Sequence, residues 1–309
     1  MDSDTGSPDV GRHLLGPHVV GRRVVVRRVL HGQRGPSGGP AMTDVLGVCT
    51  AWGESQCVVE SDAGPVVIEI ADIVSGKPVP PRPSVRLRVS AATAQRRALA
   101  LWPDLQTEPR GDWILRLSET STARRANSVL AIGESGLGDP VEEVSAYYRA
   151  RGRRPIAAVV ADSAESQVFV SAGWVPESHD ADTLFQIASV ARALRALRRH
   201  PAPPLVAHWE PDGELVTVRL GSPESGVVAS GVAAFAEDWV GFRSIEVDPA
   251  RRRQGLGSAV MTALLGWGAE RGAGTAYLQV LGHNAPALAL YERIGFTTHH
   301  AYRYLAPPG

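Results

Sequence analysis

Residues 245–260 carry the densest set of groups capable of chemistry: Ile245-Glu246-Val247-Asp248-Pro249-Ala250-Arg251-Arg252-Arg253-Gln254-Gly255-Leu256-Gly257-Ser258-Ala259-Val260. An apolar run stops at Val247, Pro249 breaks it, and a glycine-rich turn opens directly into a helical pattern. Such a turn presents unpaired backbone N–H groups at the positive end of a helix dipole, which suits a pyrophosphate. Gly255 and Gly257 let phosphates approach the backbone, Ser258 offers a hydroxyl, and Arg252 and Arg253 supply charge. Two other phosphate motifs are excluded. The dinucleotide fingerprint G-x-G-x-x-G lacks its third glycine, because Val260 stands there. A P-loop needs a lysine, and the only lysine of the chain, Lys77, lies in Ser75-Gly76-Lys77-Pro78. A Schiff-base mechanism would depend on that same residue, beside prolines in what reads as a linker.

A second group follows at 277–296: Tyr277-Leu278-Gln279-Val280 leads into Asn284-Ala285-Pro286, then Leu290-Tyr291 and Gly295-Phe296. Asn284 can cap a helix, and Tyr291 and Phe296 can serve as core aromatics. Taken together, Arg252-x-x-Gly255-x-Gly257 and Asn284-x-x-Ala287-x-x-Leu290-Tyr291-x-x-x-Gly295-Phe296 resemble the two signatures of the GNAT superfamily of acetyl-CoA-dependent N-acetyltransferases. The resemblance implies acetyl-CoA as cosubstrate, its pyrophosphate held by backbone amides over 253–258, including Gln254, Leu256 and Ser258. It also implies that Val247 and its neighbour Glu246 line the pantetheine arm, that Asn284 hydrogen-bonds that arm, and that Tyr291 protonates the departing thiolate.

The general base is less defined. An ammonium acceptor must lose a proton before it attacks a thioester. Some members of the superfamily place a glutamate where this chain has Gln279, and an amide cannot take a proton. Glu246 is the expected substitute, with Glu237 or a water chain behind it and His283 and His299 as further candidates. No metal is expected.

These groups need elements to hold them. Over 205–309, runs at 215–220, 227–235 and 239–247 read as strands, 256–271 as a helix, 273–281 as a strand, 285–294 as a helix and 297–304 as a closing strand. That alternation indicates an α/β layer, here an α/β (α+β) GNAT fold. The middle segment, 84–204, also alternates, with strands at 111–117 and 157–161. A helix start lies at Asp139-Pro140-Val141-Glu142, a capping box with proline at the first helical position. The middle segment resembles a degenerate GNAT-like domain without the pyrophosphate turn, so no CoA is expected there. Arg192, Arg195 and Arg199 share one face of a later helix and read as a solvated face.

Residues 1–17 read as a polar tail. Short β-rich runs at 19–29, 44–51, 56–61 and 66–70, punctuated by Gly and Pro, indicate a small barrel over 18–83 that ends in a Pro-rich linker at 78–83. The whole resembles an actinobacterial family with an SH3-like N-terminal barrel and tandem GNAT domains. Members are assigned as N-acetylglutamate synthases of arginine biosynthesis, and some as histone acetyltransferases. The resemblance therefore implies L-glutamate as preferred acceptor, with Arg243 and Arg303 as candidate carboxylate clamps. A protein lysine or N-terminal amine is the alternative acceptor, and a non-catalytic acyl-CoA sensor the alternative role.

Composition narrows the remainder. The 32 basic and 32 acidic residues cancel, and every basic residue except Lys77 is arginine. Net charges of −1, +3 and −2 over 1–83, 84–204 and 205–309 describe no nucleic-acid-binding domain. No apolar run approaches the roughly 18 residues of a membrane helix. The polar, acidic start at Met1-Asp2-Ser3-Asp4 gives no signal-peptide pattern, so a cytoplasmic protein is expected. Cys49 and Cys57, facing each other across a hairpin at Trp52-Gly53-Glu54, are expected to stay reduced. The oligomeric state is not legible.

Overall fold

The computed structural model describes residues 15–34, 40–79, 85–199, 205–222 and 226–309. Of the tail expected over 1–17, residues 1–14 lie outside the described residues, as do residues 80–83 of the linker. The chain forms two compact units, Met1–Pro83 and Ser84–Gly309.

In the first unit, β1 (Arg23–Arg34), β2 (Pro40–Trp52), β3 (Gln56–Ser61), β4 (Gly64–Glu69) and β5 (Ile73–Pro78) make an antiparallel sheet in the order β4-β3-β2-β1-β5. Alternation decides the inner face: Val24 and Val26, Val45 and Cys49, Cys57 and Val59 point to one core with Ile68. Two local expectations change. Residues 17–19 form a short 3-10 turn that buries Val19, with Leu15 packed beside it. Residues 73–78, given no strand in the sequence reading and meeting the linker at Pro78, pair with β1, so Lys77 sits opposite Val25. Cys49 faces Val59 and Cys57 faces Trp52, so the two thiols are offset; both are buried and free.

The second unit is built on one twelve-stranded sheet. Its N-terminal part contains α1 (Ala91–Arg97), β6 (Gln106–Arg110), β7 (Trp113–Leu117), β8 (Val129–Ala131), α2 (Pro140–Arg149), β9 (Ala157–Val160), α3 (Ala164–Ser171), β10 (Val175–Pro176), β11 (Thr183–Ser189) and α4 (Val190–Arg198). Then follow β12 (Val206–Asp212), β13 (Leu215–Ser222), β14 (Gly226–Ala236), β15 (Trp239–Val247), α5 (Leu256–Glu270), β16 (Thr275–Leu281), α6 (Ala285–Arg293) and β17 (Thr297–Ala306). The strand order is β12-β13-β14-β15-β16-β11-β17-β9-β8-β7-β6, with β10 on β17. β11 therefore lies between β16 and β17, tying the two parts of the sheet together. Arg192, Arg195 and Arg199 are exposed.

The only parallel pairs among the described strands are β8–β9 and β15–β16, each joined through a helix, α2 or α5. α5 and α4 cover one face of the C-terminal part, where Val240, Phe242, Leu264 and Leu278 meet. On the opposite face Trp239, Tyr277 and Phe185 pack with Leu101 and Ala94 from the segment around α1. Alternation along β15 and β16 thus sends successive side chains to two different environments.

Candidate functional site

β15 and β16 run in parallel register from Trp239↔Thr275 to Phe242↔Leu278, and there the pairing stops. A bulge causes the parting. Opposite β14, Val232 faces Arg243 and Ser230 faces Glu246, so Ser244 and Ile245 together stand against the single residue between them. Ser244 takes a positive φ of 50°. An extra residue of this kind bends its strand, and here β15 swings off β16. The backbone groups of the last β15 residues on that side are left without a strand partner.

A cleft of about 1020 Å³ opens at the splay, lined by Ile245, Glu246 and Val247 of β15, by Arg252–Ser258 except Gln254, and by α6. Asp248 caps the short turn at 249–251, its carboxylate accepting from Ala250 N at 2.9 Å. Arg253 and Gly255 then adopt φ of +62° and +79°. These two left-handed residues aim the chain into α5 with no side-chain cap. The first bond within the helix is Ala259 N to Gly255 O, 3.0 Å. The amides of Leu256, Gly257 and Ser258 precede it, as at any helix start. Arg252 and Arg253 are exposed at the rim.

The corresponding turn between β8 and α2 differs. There Asp139 accepts from Glu142 N at 3.1 Å, Pro140 removes one amide, and Glu142 and Glu143 occupy the first turn. Glu165 accepts from Gly133 N at 2.6 Å and Asp112 from Glu134 N at 3.2 Å. At the start of α2 a carboxylate already holds the Glu142 amide and a proline removes another, where α5 leaves its amides without a side-chain cap.

α6 makes the far wall. Asn284 caps it, Oδ1 accepting from Ala287 N at 3.3 Å, which leaves the Nδ2 protons to other acceptors. Tyr291 lines the cleft while 6% exposed, its ring 5.8 Å from that of Phe296. Burial pushes its phenol up to about 12, so it stays protonated across the physiological range. Arg293 donates to Ser258 Oγ at 3.2 Å, so that hydroxyl keeps its own proton to donate.

The cleft therefore gathers Glu246, Val247, Arg252, Arg253, Gly255, Leu256, Gly257, Ser258, Asn284 and Tyr291 as the sequence suggested; Gln254 is exposed outside its lining. Glu246 is an exposed carboxylate on its β15 side. Several other candidates fall elsewhere. Glu237 sits in the turn at the opposite end of β15, paired to Arg97 at 2.7 Å. His299 bonds Val89 O at 2.8 Å and His300, and His283 accepts from Ala181 N at 3.5 Å. Arg303 is clamped by Asp182 through bonds of 3.1 and 2.8 Å and is not available as a substrate clamp. Arg243 donates to Leu101 O at 2.8 Å and lies over the Trp102 ring. The sequence reading gave no site role to Arg293, nor to Ala287 and Leu290, although it placed the last two in the second signature. The i, i+4 spacing of Ala287 and Tyr291 was the available signal for that wall; Arg293 carried none.

Among the described residues no cluster of His, Cys, Asp or Glu could hold a metal, and no helix is long and apolar enough to cross a membrane. Residues 90–305 match the family model described as "Probable histone acetyltransferase Rv0428c C-terminal". The "Probable histone acetyltransferase Rv0428c" of Mycobacterium tuberculosis is 29% identical over 292 residues, covering 88% of this chain and 92% of the relative. The "Uncharacterized N-acetyltransferase YobR" of Bacillus subtilis is 24% identical over 241 residues, covering 68% of this chain and 96% of the relative. A solved "GCN5-related N-acetyltransferase from Kribbella flavida" superposes with a TM-score of 0.55 at 18% identity, over 74% of this chain and 97% of that one.

Proposed function

The chain belongs to the family described as "Probable histone acetyltransferase Rv0428c C-terminal" and is a GNAT-type acyltransferase, and from that premise we propose that its cleft moves the acetyl group of acetyl-CoA to a primary amine. The observation that carries the reading is the uncapped N-terminus of α5 opening onto a cleft that splays β15 from β16. The residues fit an elongated, doubly charged ligand: three open amides and three guanidinium groups, Arg252, Arg253 and Arg293, converge on one end. The unpaired edge of β15 and the Asn284 amide suit the peptide-like arm. When bound, acetyl-CoA supplies a thioester carbon open to an amine.

The chain's own groups then divide the work. Leu256, Gly257 and Ser258 hold the pyrophosphate through backbone N–H groups. Glu246 takes the ammonium proton, directly or through one water. Tyr291 presents its O–H to the departing sulfur. Its phenol, kept protonated by burial, serves as the general acid for the departing thiolate.

L-glutamate is the first acceptor in this reading, which would make the protein an N-acetylglutamate synthase. A protein amine is the alternative suggested by the name of the mycobacterial relative. The same reading takes the small antiparallel unit as an SH3-like spacer and 84–204 as a GNAT-like half that binds no CoA. The test is CoA thiol release against a panel of amines, in wild type and Tyr291→Phe. The variant should keep its acetyl-CoA affinity and lose about 10²–10⁴ in kcat. A wild type that binds acetyl-CoA but releases no thiol with any amine would make it a sensor instead.

A further inference from the structure

Where β15 and β16 part, the first side chains on the face away from α5 are those of Arg243 and Gln279. Phe242 and Leu278, just before them, point into the α5 core, while Trp239 and Tyr277 point the other way. A thioester reaching the apex of the splay from the α5 side would meet an acceptor on this opposite face.

Gln279 is fixed there by two residues from elsewhere in the chain. Tyr302 O–H donates to its Oε1. Arg125, in the short 3-10 turn Arg124–Ala126, donates from Nε to Tyr302 Oη at 3.0 Å and from Nη2 to Gln279 O at 3.4 Å. Two of the five guanidinium protons of Arg125 are thus used. Behind it Arg116 is 4% exposed and donates to Ser128 O at 3.0 Å and Ser128 Oγ at 2.7 Å.

The charge balance around these residues is uneven. Arg124 is met by Glu177 at 2.6 Å and Asp180 at 2.9 Å, and Arg303 by Asp182 at 2.8 Å. Among the described residues no carboxylate lies within ion-pair distance of Arg116 or Arg125, while Asp104 acts on Arg243 from farther off. An arginine cannot shed its proton, and a sequestered cation without an anion is unfavourable. Arg124 and Arg303, acting as structural braces, receive carboxylates; Arg116 and Arg125 do not.

We infer that Arg125, with Gln279 and Tyr302 positioning it, binds a carboxylate of the acceptor, so that the site selects a small anionic amine over a neutral or basic one. The inference rests on the acetyl-transfer reading for its location and adds the acceptor's chemical class. It also disfavours a lysine-rich protein tail, whose charge has the same sign as the patch.

Two measurements test it. Glutarate, a dicarboxylate without an amine, is titrated calorimetrically into protein saturated with CoA. Wild type should bind it, and Arg125→Met should bind at least about tenfold more weakly, the loss expected for a charged hydrogen-bonded pair, with CoA affinity unchanged. In turnover, wild type should prefer L-glutamate at least about tenfold in kcat/KM over the same amine with both carboxylates amidated. Arg125→Met should bring that ratio near one through KM. Should Arg125→Met fail to fold, Tyr302→Phe, which keeps the ring and frees the guanidinium, should show a smaller loss of the same kind. Glutarate that fails to bind wild type, or binds both proteins equally, overturns the inference, as does a preference that survives the substitution. Absent thiol release from wild type would sink the acetyl-transfer reading alone, because the glutarate titration still decides this one.

Discussion

Alanine at Gly255, and alanine or phenylalanine at Gly257, perturb the turn at points two residues apart that are glycine for different physical reasons. Gly255 has φ 79° and ψ 2°. The backbone there is left-handed, a conformation that costs a side chain about 1–2 kcal/mol. Gly255→Ala should therefore lower the melting temperature of the acetyltransferase unit by about 2–8 °C. At Gly257 φ is ordinary, and a Cβ would lie 3.1 Å from Leu290 Cδ2, the mobile end of a side chain on the facing wall. A few tenths of an ångström of give at Leu290 costs less than the roughly 1 kcal/mol that alanine gains over glycine in a helix. Gly257→Ala should thus melt at or slightly above wild type. Gly257→Phe keeps that backbone but fills the approach to the amides. Losing two amide–phosphate bonds at about 1.5–3 kcal/mol each weakens acetyl-CoA about 10²–10⁴-fold. Circular-dichroism melts and titration calorimetry with acetyl-CoA read the two effects separately. A folded Gly257→Phe that binds acetyl-CoA as wild type does would refute the pyrophosphate assignment. An unchanged melting point for Gly255→Ala would refute the backbone argument.

Glu246→Gln should lower kcat about 10²-fold or more while leaving acetyl-CoA affinity alone, and raising the pH should recover part of the loss as the free amine becomes more abundant. Asn284→Ala removes the cap of α6 and should cost about 0.5–2 kcal/mol in urea denaturation, with a weaker acetyl-CoA affinity if Nδ2 also holds the arm. Burial, then the neighbouring His299, pushes His300 from 6.5 down to about 4. The unfolded chain therefore binds a proton that the folded chain refuses between those values. Stability is full above about pH 6.5 and falls as the pH drops towards about 4, by at most about 3 kcal/mol from this residue. Urea midpoints against pH should show a shallower fall for His300→Gln; parallel curves would reject the assignment.

What the sequence made legible was local. The run 239–247 coincides with β15 because its face alternation and its stop at Pro249 are both written within a dozen residues. Asn284, Tyr291 and Gly295 likewise mark the start, wall and end of α6 without outside help. Long-range pairings were not legible. β11 slots between β16 and β17 from about a hundred residues upstream, and nothing in its own pattern names those neighbours. β12 was passed over because it is exposed on both sides and carries no alternation. Arg303 looked like a free clamp until the fold brought Asp182 to it, and Arg125 was invisible because its partners are Gln279 and Tyr302. Residues 73–78 hid behind Gly76 and Pro78, although Pro78 ends the strand that it seemed to forbid.

The two parallel β-α-β connections of the sheet show why one turn suits an anion and the other does not. A helix N-terminus is electropositive in both cases, by the same alignment of peptide dipoles. At α2 that potential is already met inside the chain by Asp139 as cap. A phosphate arriving there would have to displace that carboxylate and would face Glu142 and Glu143. At α5 the cap position is a left-handed glycine, the first turn carries no acid, and Arg252, Arg253 and Arg293 stand around it. Each choice at α2 favours local stability, since a side-chain cap is worth about 1 kcal/mol. The α5 turn forgoes that stabilisation and strains Arg253 besides. A bound anion recovers more than a cap would, because its bonds to the amides are charge-assisted. On the proposed reading, stability given up at one helix start and kept at the other is the physical mark that separates the binding half of the sheet from the half that supports it.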